Sequence, residues 1–189
     1  GVRCLLQDPR LLIMDEPTTG LDVTTEAHIL DLVAKLKESH GSAILYITHN
    51  LGVVAQFCHR VAVMYAGEIV EEGPVSRVFS KPAHPYTRSL LTCIPRLDLS
   101  KHDRPLSAIK GRLPNLADIP GGCVFAARCN EREDACEAND VPPDPVGDDP
   151  NDFVRCLRWR DIPEFEFDRH KRDANAVRAT ETVDELLEI

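Results

Sequence analysis

The chain has 189 residues, of which 43% are hydrophobic, and a formal net charge of −9. That length suits one ordinary domain with an appendage, and no apolar run approaches the roughly 20 residues of a membrane-spanning helix. Residues 131–152 carry nine acids against Arg132 alone, and residues 161–189 carry nine against four bases, a balance that repels phosphate backbones and argues against nucleic acid as a primary partner of that half.

Residues 1–7 read as the end of a helix stopped by Asp8-Pro9, with no signal-peptide pattern. With an opening Gly rather than Met, the chain is expected to be the C-terminal part of something longer. Residues 10–14 are a continuous apolar run, which predicts a parallel-sheet strand buried on both faces. Residues 24–37 form an amphipathic helix with Ile29, Leu30, Val33 and Leu36 on one stripe. Gly41 turns the chain into a second apolar strand, residues 43–48, and Asn50 can cap a short helix over 51–57. Residues 60–65 and 68–70 flank Ala66-Gly67 as a hairpin. Strand–helix–strand–helix–strand is the order of one half of an open α/β sheet.

Beyond Gly73-Pro74 the composition changes. Short helices are expected at 75–79 and, after Pro82-Ala83-His84-Pro85, at 86–94. Residues 95–120 are proline-rich and loop-like, residues 123–156 hold four cysteines, and the acidic end has a helical pattern around 183–187. His84 before Pro85 reads as a turn-former and helix start. His59, His102 and His170 read as solvated, Tyr86 and Trp159 as packed, and residues 140–152 as a solvated acidic loop without calcium-loop spacing.

The chemistry concentrates at two strand tips. Leu11-Leu12-Ile13-Met14 delivers Asp15-Glu16-Pro17, and Ile47-Thr48 delivers His49. A carboxylate at such a tip can hold Mg²⁺ through water, a second can orient or deprotonate the attacking water, and an imidazole on the neighbouring strand can reach a γ-phosphate. Residues 11–22 resemble the Walker B strand and D-loop of ABC-transporter ATPases, and residues 47–50 resemble their H-loop. That likeness implies ATP and Mg²⁺ as ligands, Asp15 as the magnesium carboxylate, Glu16 as catalytic base and His49 as switch histidine. It also implies that Asp22 faces a second ATPase subunit across a dimer. No Gly-x-x-x-x-Gly-Lys-Ser/Thr loop occurs in the sequence, so the isolated chain is expected to bind ATP negligibly.

Seven cysteines without a secretory signal point to thiols or metal rather than disulfides. Cys4, Cys58 and Cys93 lie in apolar stretches and read as small core residues. Cys123, Cys129, Cys136 and Cys156 are spaced C-x5-C-x6-C-x19-C, which admits a [4Fe–4S] cluster, a zinc ion, or four independent thiols. The looser spacing suits the cluster more than zinc. Residues 83–91 resemble the His-Pro-Tyr element of oligopeptide and dipeptide importer ATPases, and residues 122–156 resemble the cysteine-bearing extension of the peptide/nickel branch. In that branch the extension is associated with a [4Fe–4S] cluster in some members.

The expected architecture is therefore an α/β ATPase fragment with a small, irregular cysteine-bearing extension. Its segments are a partial ATPase domain at 1–73, a connector at 74–120, the extension at 121–160 and an acidic tail at 161–189. The resemblance implies the C-terminal part of an ATPase subunit that energises peptide uptake from the cytoplasmic face of the membrane. Its implied partners are a second ATPase, transmembrane permease subunits and, indirectly, a solute-binding protein. Three alternatives stand beside it: a non-catalytic or metal-bearing regulatory remnant, an importer of nickel or another small solute, and a soluble ABC-type ATPase.

Overall fold

The structure, a computed structural model, describes residues 9–93, 109, 111 and 121–165. The helix end expected at 1–7, Cys4, most of the 95–120 loop and the tail beyond 165 lie outside the described residues. The chain forms two compact units, residues 1–58 and 59–189.

In the first unit β1 (Leu11–Asp15) and β2 (Ala43–Ile47) pair in parallel, with Leu11 opposite Ala43 and Asp15 opposite Ile47. Helix α1 (Val23–His40) makes the crossover, and Gly41 at φ +62 reverses the chain into β2. Val33 is buried, Ile29 and Leu30 are half-buried, and Asp31 pairs with Lys35 on the exposed side. Helix α2 (Leu51–Phe57) starts as expected, because Asn50 Oδ1 accepts the amides of Gly52 at 3.0 Å and Val53 at 3.4 Å.

The expectation that the first strand is buried on both faces is corrected. Leu11 and Ile13 of β1 are 53% and 60% exposed, and Leu45 and Ile47 of β2 are 50% and 45% exposed. Alternate residues of paired strands share a face, so these four form one apolar surface. Among the described residues no layer lies over it.

The second unit is built on a different sheet. Strands β3 (Arg60–Tyr65) and β4 (Glu68–Pro74) form an antiparallel hairpin. Ala66 and Gly67 have φ of +49 and +88, the signature of a tight two-residue turn that matches strand twist. β4 runs four residues further than residues 68–70 alone suggest, because it gains a second neighbour. Strands β5 (Asp144–Pro145) and β6 (Phe153–Val154) complete the order β3-β4-β6-β5, antiparallel throughout. The hairpin thus does not continue the β1–β2 sheet, and the single open sheet inferred from element order is replaced by two sheets.

Residues 140–152 are likewise not merely solvated. Val141 and Asp152 are buried, and Asp152 Oδ1 lies 2.9 Å from Arg60 Nη1. Asp144 accepts from Trp159 Nε1 at 2.7 Å and pairs with Arg160. These ties draw the acidic segment onto β4 and offset its charge locally.

Helices α3 (Val75–Ser80) and α4 (Pro85–Thr92), a 3₁₀ turn at Ala126–Arg128 and helix α5 (Asp134–Ala138) surround this sheet. Val63, Tyr65, Val70, Val78, Val124 and Phe125 form the core. Tyr65, Tyr86 and Phe125 interlock with ring centroids 4.7–5.3 Å apart, a spacing at which tilted aromatic pairs attract. Tyr86 and Trp159 pack as expected.

Candidate functional site

β1 and β2 end side by side, and Glu16 follows β1 directly. Its amide still bonds the Ile47 carbonyl at 2.9 Å, prolonging the ladder by one residue. Glu16 then adopts φ +43, a left-handed conformation that costs a residue with a Cβ about 1–3 kcal/mol. Its Oε1 lies 2.7 Å from His49 Nδ1 and 3.1 Å from the His49 amide, while Oε2 accepts Thr19 Oγ1 at 3.0 Å. The His49 hydrogen bond, with Thr19 adding to it, holds the Glu16 carboxyl below its usual range.

The other two candidate carboxylates are placed differently. Asp15 is exposed at the end of β1, opposite Ile47 in register. Asp22 caps α1, accepting the Thr25 amide at 3.0 Å and Thr25 Oγ1 at 2.7 Å. The Thr25 bonds keep its carboxyl below the ordinary range. Glu16 and His49 are thus brought together, whereas Asp22 is engaged within its own helix turn.

A carboxylate that the sequence reading passed over organises the second unit. Glu71 is fully buried on β4. Its Oε1 accepts Arg77 Nη1 at 2.6 Å and the Ala83 amide at 2.9 Å, and its Oε2 accepts the His84 amide at 2.9 Å. Arg77 also reaches the Glu72 carbonyl at 2.6 Å, lying across Gly73, where a Cβ would collide with its guanidinium. Glu71 stands in an otherwise ordinary strand, and no local spacing distinguishes it.

His84 caps α4 as expected: its Nδ1 accepts the Tyr86 amide at 3.0 Å. It is completely buried, and burial pushes its pKa down to about 3, so the ring is neutral. Its ring centroid lies 5.9 Å from that of Phe125.

Cys123, Cys129, Cys136 and Cys156 all line one narrow cavity of about 10 Å³, together with His84, Pro85, Glu131, Arg132, Leu157 and Arg158. The Cys123 amide donates to the Cys136 carbonyl at 2.7 Å, which holds two of the four on adjacent backbone. Burial pushes the Cys129 and Cys156 thiols up to about 11 and raises Cys123 as well, so in the absence of a cation they stay protonated. All four are free thiols. Among the described residues no group of three or more His, Cys, Asp or Glu side chains is arranged to hold a single metal ion. Cys58 and Cys93 are half-buried.

Residues 70–136, which take in most of β4, the His-Pro-Tyr element and three of the four clustered cysteines, match the family model described as oligopeptide/dipeptide transporter, C-terminal region. A Brucella ovis protein named for peptide import and ATP binding is 49% identical over 162 residues, covering 84% of this chain and 47% of that protein. The chain is thus similar to the C-terminal region of oligopeptide/dipeptide transporters and to peptide-import ATP-binding proteins. It is also 52% identical over 139 residues to a dipeptide transport ATP-binding protein of Lactococcus lactis subsp. cremoris, covering 74% of this chain and 39% of that one. An oligopeptide transport ATP-binding protein of Haemophilus influenzae is 47% identical over 133 residues, at 70% and 41% coverage. The chain thus spans about half the length of the curated relatives it matches. No helix among the described residues is long and apolar enough to cross a membrane.

Proposed function

We propose that this chain is the C-terminal part of a subunit that hydrolyses ATP to drive uptake of di- or oligopeptides. The observation that carries this reading is the 2.7 Å contact between Glu16 and His49 at the ends of paired parallel strands, in a chain about half identical to peptide-import ATP-binding proteins.

Each side chain then has a physical task. Asp15 is the carboxylate that would hold Mg²⁺ through a bound water. Glu16, kept ionised by its hydrogen bonds, orients the attacking water and accepts its proton. His49 donates Nδ1–H to Glu16, which fixes the carboxylate. Its other ring nitrogen is left to face the γ-phosphate. Asp22 shapes the turn between the strand tip and α1, at the surface assigned to a second ATPase subunit. The remaining partners are transmembrane permease subunits at the cytoplasmic face, with a solute-binding protein delivering the cargo. We place the ATPase segment in residues 1–73, the connector in 74–120, the cysteine extension in 121–160 and the tail in 161–189. The 189 residues alone are inactive in this reading, because the phosphate-cradling loop is not among them.

The deciding experiment uses the full-length protein. Glu16→Gln should retain ATP binding and lose turnover by about 10²–10⁴-fold, the usual share of a positioned base. Phosphate release at the parent rate would remove Glu16 from its role.

We further propose that Cys123, Cys129, Cys136 and Cys156 hold a [4Fe–4S] cluster. The support for this reading is the loose spacing of the four cysteines and their place on one cavity wall. When bound, the cluster supplies four bonds that staple the segments around residues 123–136 and 156, and a one-electron couple. Anaerobic loading with ferrous iron and sulfide should give a visible absorption band, and Cys123→Ser should abolish it. Uptake of zinc alone would favour the mononuclear alternative.

A further inference from the structure

The two oxygens of Glu16 are not equivalent. Oε1 takes two donors, His49 Nδ1 at 2.7 Å and the His49 amide at 3.1 Å. A carboxylate oxygen offers about two lone-pair sites, so Oε1 is filled. Oε2 takes one donor, Thr19 Oγ1 at 3.0 Å, and keeps one site open.

Thr19 is set in place by two overlapping turns. Its amide donates to the Glu16 carbonyl at 3.2 Å, closing the first turn across Pro17 and Thr18. The Leu21 amide donates to the Thr18 carbonyl at 3.1 Å and closes the second. Gly20 is the third residue of that second turn, with φ +80, a conformation that residues with a Cβ rarely adopt. Thr18 is buried beneath the turns, whereas Thr19 is exposed. An exposed hydroxyl has water as an alternative partner. Here the backbone delivers it to the carboxylate instead.

We propose that Oε2 is the oxygen of Glu16 that accepts the proton of the attacking water, and that Thr19 positions it. The proposal rests on the reading of Glu16 as catalytic base given above. In that step the water oxygen bonds the γ-phosphorus and the water proton passes to Oε2. The bond from that phosphorus to the β–γ bridging oxygen breaks, and its electron pair leaves on ADP. Thr19 acts through Glu16 and gives up no proton. Its charge-assisted bond stops the carboxylate from swinging about the His49 anchor at Oε1.

The test measures steady-state phosphate release by the full-length protein. Thr19→Val keeps the branched shape and removes the hydroxyl, while Thr19→Ser keeps the hydroxyl. Thr19→Val should lower kcat by about 10-fold with the KM for ATP within about twofold, and Thr19→Ser should stay within about twofold of the parent in both. In a Glu16→Gln background, Thr19→Val should cost nothing further, because the two residues act as a unit. Parent-like kcat in Thr19→Val, with Glu16→Gln inactive, overturns the role of Thr19 and leaves Glu16 as base. Equal losses in Thr19→Val and Thr19→Ser, or a further loss in the double variant, overturn it as well. A Glu16→Gln protein that turns over at the parent rate removes both readings. Should Thr19→Val not fold, Thr19→Ala also lacks the hydroxyl and is judged by the same outcomes.

Discussion

Glu16 Oε1 sits 2.7 Å from His49 Nδ1, although 33 residues separate them in the chain. The contact exists because β1 and β2 pair in register to Asp15 and Ile47, and the left-handed backbone at Glu16 turns its carboxylate toward the His49 amide and ring. A strained conformation that is tied down on both sides has its geometry set by the fold itself.

His49→Ala frees Glu16 from its principal partner. In the full-length protein, turnover should fall by about 100-fold or more while the KM for ATP moves much less, since the lost interactions belong to the transition state. Steady-state phosphate release measures both constants. A turnover number within about threefold of the parent would leave the pair without a catalytic function.

Glu71→Ala removes one carboxylate from beneath Arg77 and the amides of Ala83 and His84. Breaking a buried ion pair from one side leaves uncompensated groups and costs about 3–5 kcal/mol. Urea denaturation, with fluorescence of Trp159 as probe, should show that loss. A change below about 1 kcal/mol, the scale of an exposed pair, would mean that Glu71 does not anchor the His-Pro-Tyr element.

Acid should unfold the metal-free second unit through His84. Its folded pKa, about 3, lies below the ordinary histidine value of 6.5, so the unfolded state binds the extra proton. The associated stability is complete above pH 6.5 and declines as pH falls toward 3, by on the order of 1.4 kcal/mol per pH unit. Melting temperatures across that range should drop for the parent and flatten for His84→Asn. Parallel pH profiles for the two proteins would contradict the assignment.

Gly122→Ala addresses the cysteine cavity without touching a thiol. A Cβ on Gly122 would collide with the Cys136 carbonyl and the Glu137 backbone, the same carbonyl that receives the Cys123 amide. Overpacking of this kind typically costs about 1–3 kcal/mol. It should also lower iron per chain after reconstitution, measured by metal analysis. Full iron loading at unchanged stability would show that the Cys123–Cys136 spacing does not matter.

Local features were legible from residue order. Asn50 capping α2, His84 capping α4 and Ala66-Gly67 closing the hairpin each depend on a few neighbouring residues. The Asp15-Glu16 pair and His49 were legible as candidates because an apolar run ending in acids, followed one crossover later by another ending in histidine, predicts neighbouring strand tips. Asp22 was legible as a residue of interest, but not as a helix cap, because its Thr25 partner competes with an intersubunit role that no spacing excludes.

Residue order by itself determined the two parallel strands, their crossover helix, the hairpin turn and the chemistry carried at the strand tips. Only the tertiary structure decided that β4 pairs with β6 from about 80 positions away, that Glu71 is buried beneath three donors, that Leu11, Ile13, Leu45 and Ile47 share an open face, and that four cysteines and a histidine meet at one cavity. The division has one physical cause. Caps, turns and strand periodicity arise from forces between residues a few positions apart, whereas burial and long-range pairing exist only once distant segments have collapsed together.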